Sequence, residues 1–269
     1  MMRHAWGGYV AYAWGSNELD PVAKKGHKGN LPSGMGVTIV DSLDTLYIMG
    51  LDEELNKAKD WVRNNLNMSN VNEYVSVFET NIRLVGGLLS AFSFTGDNIF
   101  KEKAVHVAKT LLPAFDTETG IPYSLINLQT GEGKNYGWTS GSAILSEFGT
   151  LHMEFSYLSD ITGNPVFRQK VERIREVLNG LERPARLYPN YLNTKTGSWG
   201  AKQYSIGPLG DSFYEYLFRE WIRSGKSDEE VNERNKKMYI IKLTISQKEC
   251  FMKLPLTLKS YYYNYQRRD

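Results

Sequence analysis

The sequence predicts an all-α protein built of helix pairs, on three observations. Amphipathic segments recur along the chain, turn residues separate nearly all of them, and one pair of segments repeats at a fixed offset. In order, the helical segments are 34–49 within "GMGVTIVDSLDTLYIMG", 52–66 ("DEELNKAKDWVRNNL"), 75–94, 98–112, 139–160, 165–180 and 211–224. Gly50-Leu51-Asp52, Thr95-Gly96-Asp97 and Thr162-Gly163-Asn164 mark places where one helix stops and the next starts.

The repeat makes the pairing explicit. "FTGDNIF" at 94–100 returns as "ITGNPVF" at 161–167, so Thr95, Gly96 and Phe100 match Thr162, Gly163 and Phe167 at an offset of 162 − 95 = 67. Pro122 and Leu125 match Pro189 and Leu192 at the same offset. Each unit reads as a helix, a turn, a second helix and a short Pro/Tyr/Asn-rich segment suited to a β-hairpin. Units of this kind stack sideways to bury faces that none buries alone, and so long a repeat favours a closed toroid over an open superhelix. Two coincidental helix-turn-helix units are the plainer alternative.

Bulk properties narrow the function. A chain of 269 residues, 41% hydrophobic and 23% charged, is long enough for one large domain or two and has a globular composition. With 32 basic against 30 acidic residues, no bias toward nucleic acid or an anionic membrane is visible. The 17 Tyr and 6 Trp suit either a large core or a protein that stacks rings on sugars. Cys250 is the single cysteine, so no internal disulfide forms. Asn67-Met68-Ser69 is an N-glycosylation triplet, relevant only in the secretory pathway. "MMRHAWGGYVAYAW" lacks the apolar core of a leader, and no stretch approaches the ~20 apolar residues of a membrane span. The segment 240–269, with its Tyr261-Tyr262-Tyr263-Asn264-Tyr265 cluster, changes character and reads as an extended or disordered tail.

The candidate chemistry starts in "VSVFETNIRLVGGLLSAF", 75–92. Phe78, Ile82, Val85, Leu89 and Phe92 form an apolar stripe, and beside it run Glu79, Arg83, Gly86 and Ser90. The bland reading is an exposed face with an i,i+4 Glu79–Arg83 pair of ~0.2–0.5 kcal/mol. The functional reading is that the small residues leave space beside a purposeful carboxylate. Glu147 lies 68 residues beyond Glu79, and Asp211 lies 64 beyond that, so acidic residues recur near one level of three successive repeats. Convergent carboxylates are what glycoside hydrolysis needs: one protonates the leaving oxygen, and the other activates water or attacks the sugar. Asp211 equally serves as a helix N-cap, and Asp41 and Asp44 either join the pocket rim or only hydrogen-bond locally. "GHKGNLPSGMG", 26–36, lacks the ending of a phosphate loop, and His4, His27, His106 and His152 lack metal-ligand spacing.

Seven motifs together resemble the class I α-1,2-mannosidases, glycoside hydrolase family 47. They are "AYAWGSNELDPV", "GVTIVDSLDTLYIMG", "VSVFETNIRLVGGLLSAF", "LLPAFDTETGIPY", "SEFGTLHMEFSYLS", "LYPNYLNTKTGSWG" and "LGDSFYEYLFREW", dense from His4 to Tyr239. The resemblance implies an (α/α) toroid of seven helix pairs, and Ca²⁺-dependent, inverting removal of α-1,2-linked mannose from high-mannose N-glycans. It implies Glu79 as the acid, acting through a water, with Arg83 as its substrate-positioning partner. It implies Asp211 as one of two candidate bases and Glu147 as a sugar contact in a neighbouring subsite. Leu209 matches Golgi members where endoplasmic-reticulum members have arginine, which implies the lumenal side of the Golgi membrane.

Departures from the family set further expectations. The later helix pairs, a third essential glutamate, the Ca²⁺-ligating threonine and the amino-terminal anchor have no counterpart here, so the chain itself is expected to supply no metal ligand. Residues 1–239 are expected to form a partial catalytic domain, roughly the first half of the toroid, with 240–269 unrelated to it. Alone, such a chain is expected to be inactive, because an open arc exposes faces meant for neighbours and cannot exclude water from the sugar. A non-catalytic glycan-binding fragment and a gene product without independent function are the alternatives.

Overall fold

The computed structural model describes residues 1–69, 71–182 and 187–225. The chain divides into two compact units, Met1–Phe213 and Tyr214–Asp269. In the second, Glu220 accepts two hydrogen bonds from Arg223 and the Phe218 ring packs on Trp221. The expected tail at 240–269 lies outside the described residues.

In the first unit, α2 (Val37–Ile48), α5 (Gly86–Thr95) and α8 (His152–Thr162) pack in succession. Each is backed by the helix that follows it: α3 (Asp52–Asn65), α6 (Asn98–Leu111) and α9 (Val166–Asn179). The mostly helical, paired architecture is therefore as the periodicity predicts. Leu43 and Leu46 of α2, Leu88 of α5, Phe100 and Val107 of α6, and Phe155 of α8 are completely buried. The Phe155 ring lies 5.5 Å from Phe115 and 5.7 Å from Phe167, joining the last two layers. Gly87 is where α5 and α2 touch, since a Cβ there would stand 2.9 Å from the Val40 carbonyl oxygen.

The repeat is real at the level of hydrogen bonds. Thr95 Oγ1 donates to the Ala91 carbonyl, and Thr162 Oγ1 donates to the Leu158 carbonyl. Gly96 and Gly163 then turn the chain at φ 68° and 69°, a left-handed backbone that favours glycine. Asp97 and Asn164 accept from Ile99 N–H and Val166 N–H to open the next helices. Phe100 and Phe167 follow, both fully buried.

Short strands link the layers. β3 (Tyr74–Ser76) pairs antiparallel with β4 (Leu125–Asn127), which pairs with β5 (Gly133–Lys134). β6 (Ser142–Ile144) pairs with β7 (Tyr191–Asn193). Asn127 and Asn193 end equivalent strands and make equivalent turns, each Oδ1 accepting two backbone N–H groups.

The structure corrects the sequence reading in three places. Residues 2–13 form a helix, α1 (Met2–Ala13), which buries Trp6, Tyr9 and Ala13 and packs on the hairpin of β1 (Glu18–Asp20) and β2 (Lys25–His27). Gly7 and Gly8 and a buried face of three residues make it weak as a periodic signal. The segment 139–160 is not one helix: β6 runs straight into α7 (Leu145–Phe148), which stops before α8 begins.

The third correction falls on 75–94. β3 leads into α4 (Val77–Glu79), a π-helical turn at Thr80–Val85, and then α5. The extra residue of the wider turn shifts the buried face. Val77, Thr80, Asn81, Leu84, Val85, Leu88, Leu89 and Ala91 are buried, whereas Phe78, Ile82 and Phe92 are only half-buried.

Candidate functional site

Two carboxylates are delivered by one device used twice. Glu79 is the third residue after β3 ends at Ser76, and Glu147 is the third after β6 ends at Ile144. Each strand is locked to its partner up to the helix entry, where Val77 N–H donates to the Ser124 carbonyl and Leu145 N–H to the Asn190 carbonyl. Ser76 Oγ also accepts from Glu79 N–H at 3.1 Å, one half of a Ser-x-x-Glu capping box. The two helix entries touch each other.

Glu147 is the electrostatic centre of this contact. Burial pushes its pKa up to about 7, and the charge of Glu79 adds to that rise, while the hydroxyls of Ser124 and Tyr136 act against it. Neither hydroxyl reaches Glu147 Oε2 with hydrogen-bond geometry, and Ser124 Oγ is buried without a geometric partner as well. Burial also raises the Tyr136 phenol to about 12, helped by Glu147 and Glu79. Glu147 itself lines a small recess shared with Phe78, Pro122, Tyr123, Ser124, Phe148 and Leu151. The Tyr136 ring stacks on Trp138 at 5.7 Å, and Trp138 remains 62% exposed. The site therefore combines carboxyl groups, hydroxyls and an open aromatic face.

Asp211 opens α10 (Asp211–Arg223), whose first residues are tied to the helix that carries Glu147. Ser146 N–H donates to the Leu209 carbonyl at 3.0 Å. Thr150 Oγ1 donates to Ser212 Oγ at 2.8 Å, and Ser212 Oγ to the Ser146 carbonyl at 3.4 Å. Asp211 Oδ1 accepts from the adjacent Ser212 N–H at 2.8 Å, whereas an N-cap carboxylate takes the N–H two or three residues on. Leu209 adopts φ 73°, a left-handed conformation uncommon for a residue with a side chain. Gly210 beside it has no room for a Cβ, which would meet the Ser205 carbonyl.

Arg83 does not pair with Glu79. Its Nε donates to Asp41 Oδ2 at 2.8 Å, and its guanidinium lies 3.9 Å from Glu18. Carboxylates on α2 and β1 thus claim the cation in place of the i,i+4 neighbour. Burial raises the pKa of Asp41 while Arg83 opposes the rise. Ser90 on α5 donates across to Asp44 Oδ2 on α2 at 2.8 Å, while Thr45 Oγ1 donates locally to Asp44 Oδ1 at 3.3 Å. Gly86 opens no special space, because a Cβ there would make only ordinary contacts, 3.7 Å from Asn81 O and 3.8 Å from Glu154. Asn81, in the π-helical turn, donates to Glu154 Oε2 at 3.0 Å and toward the Thr150 carbonyl at 3.4 Å.

Sequence reasoning missed Ser76, Ser124, Tyr136 and Trp138. Ser76 was findable, because Ser76-Val77-Phe78-Glu79 spells the capping-box signature. The others reach the site through strand pairing that no local pattern encodes. Among the described residues, no group of three or more His, Cys, Asp or Glu side chains is placed to hold a metal ion.

A family model described as glycosyl hydrolase family 47 matches residues 1–264. The chain is 57% identical over 236 residues to a mannosyl-oligosaccharide alpha-1,2-mannosidase IA of Drosophila melanogaster, covering 87% of this chain and 35% of that protein. It is 55% identical over 242 residues to mannosyl-oligosaccharide 1,2-alpha-mannosidase IB of Homo sapiens, covering 89% and 37%. It thus spans little more than a third of the length of these curated relatives. Among solved structures, an alpha-1,2-mannosidase from Trichoderma reesei superposes with a TM-score of 0.77 at 28% identity, covering 86% of this chain and 50% of that one.

Proposed function

The chain belongs to glycosyl hydrolase family 47, and from that premise we propose that its residues form part of the site of a mannosyl-oligosaccharide α-1,2-mannosidase. The observation that carries the reading is the convergence of Glu79 and Glu147 from equivalent strand-to-helix turns of successive repeats. In this reading Glu79 protonates the leaving glycosidic oxygen and Asp211 activates the attacking water, a division of labour that inverts the anomeric carbon. Glu147, whose carboxyl keeps its proton until about pH 7, contacts the sugar as donor or acceptor. Arg83 positions the substrate from its seat between Asp41 and Glu18. Leu209 shapes the approach to Asp211 and the branch preference of the Golgi type. The substrates are high-mannose N-glycans, and the compartment is the Golgi lumen.

The family implies Ca²⁺, which takes six to eight oxygen ligands, carbonyls included; among the described residues no group of three or more His, Cys, Asp or Glu side chains is placed to contribute them. The reading therefore rests on proton transfer and positioning by the named side chains.

A fluorescent high-mannose glycan tests the assignment. The 269-residue chain is expected to bind it without releasing mannose, since the match takes up so small a share of the relatives. Glu79→Gln should keep the affinity, and Arg83→Ala should weaken it about tenfold, the equivalent of losing roughly 1.4 kcal/mol. Mannose release that disappears in Glu79→Gln would establish the acid role and overturn the expected inactivity. A folded chain with no glycan affinity would overturn the reading.

A further inference from the structure

We propose that Asn67 is an N-glycosylation site, modified by an oligosaccharide carried on a lipid pyrophosphate. The inference rests on the secretory reading above, since the modification occurs only in that pathway. Asn67-Met68-Ser69 is the one Asn-x-Ser/Thr triplet in the sequence, and its middle residue is not proline.

The structure presents this triplet in a way that an accidental one in a core would not. Just past α3, Leu66 has extended backbone at φ −71° and ψ 100°. Side chains then alternate: Leu66 and Met68 are buried, while Asn67 and Ser69 are exposed. Helix α6 pins the backbone between them. Lys103 Nζ donates to the Leu66 carbonyl at 2.7 Å, and Met68 N–H donates to His106 Nε2 at 3.0 Å. Asn67 Oδ1 accepts from Ser69 N–H at 3.0 Å, which turns the carboxamide toward the hydroxyl residue of its own triplet. Asn67 Nδ2 makes no hydrogen bond among the described residues. A glycan on Nδ2 consequently displaces no bond and no packed atom.

In the transfer, a C–N bond forms between Asn67 Nδ2 and the anomeric carbon of the first sugar. The bond from that carbon to the lipid pyrophosphate breaks, and the Nδ2 proton leaves with the pyrophosphate.

The test uses the full chain behind a cleavable secretion leader, translated with microsomes, with protease protection scoring entry into the lumen. The expected result is one glycan per protected chain, removable by a peptide-N-glycosidase, absent in Asn67→Gln and Ser69→Ala and retained in Ser69→Thr. A protected chain of unmodified mass, or a glycan that survives in Asn67→Gln, overturns the proposal. Failure of the mannosidase reading would appear separately, as a lumenal chain that carries the glycan on Asn67 yet, folded, binds no high-mannose oligosaccharide.

Discussion

The Glu79 and Glu147 units place a carboxylate by the same strand-to-helix turn and then diverge. After Glu79 the helix continues, absorbing one extra residue in the π-helical turn before α5. After Glu147 the helix stops at Phe148 and restarts at His152. The first unit caps its entry with Ser76, and the second enters from Ile144 without a side-chain cap. The position of the carboxyl group is therefore set by the paired strands upstream, and the path downstream is free to differ. What each unit must preserve is close packing at the point where its helix meets a neighbour.

Substitutions at those points separate the two units, and Gly149→Ala should have the largest effect. A Cβ there would stand 2.2 Å from the Phe213 ring and 2.7 Å from the Leu145 carbonyl, so destabilisation of about 3 kcal/mol is expected in urea unfolding. Gly87→Ala, against the Val40 carbonyl at 2.9 Å, should cost about 2 kcal/mol in the same measurement. Equal losses at the two glycines would show that both helix paths are equally constrained and that the two units do not differ downstream of their carboxylates.

Glu147→Gln probes the charge instead. Burial raises the folded carboxyl to about 7 from the ordinary glutamate value of 4.5. Its contribution is thus fully present below the unfolded value and is lost as pH rises toward 7. Glutamine should flatten the wild-type decline in melting temperature over that window and raise the melting temperature at pH 8, read by thermal unfolding at pH 4, 6 and 8. An unchanged pH profile would mean that Glu147 is solvated, and would remove the electrostatic distinction between the units. The smallest effect is expected for Ser76→Ala, where loss of the cap on Glu79 N–H should cost about 1 kcal/mol. If that variant is neutral, the first unit is no better anchored at its entry than the second.

The helix pairs and their turns were legible because they rest on local chemistry. A threonine, a left-handed glycine and a capping Asp or Asn fall within three residues, and a phenylalanine follows at a fixed distance in both units. The recurrence of Glu79 and Glu147 was legible from their spacing, and the two helix entries that carry them touch, with Ser212 bonded to Thr150 and Ser146 beside the second. The i,i+4 pairing of Arg83 with Glu79 does not form, because the partners that take Arg83, Asp41 and Glu18, come from 42 and 65 residues away (83 − 41 and 83 − 18). Tyr136 escaped notice for a related reason, since a long connection between β5 and β6 carries it to the carboxylates. The break inside 139–160 was hidden by an apolar run that serves a strand and a helix equally well.

The π-helical turn has a further consequence, which concerns chain length. Asn81 hooks it to Glu154 on α8, and Ser76 fixes the strand before it, so the count of residues between the two anchors determines where Glu79 points. Removing Thr80 would shorten that interval and close the wide turn toward ordinary α-helix, so that Ser76 and Asn81 could no longer both keep their bonds with Glu79 in its present place. Composition, hydrophobicity and net charge could all survive such a deletion while the aim of the carboxylate did not. In this helix the ruler is as much a part of the site as the side chains it measures out.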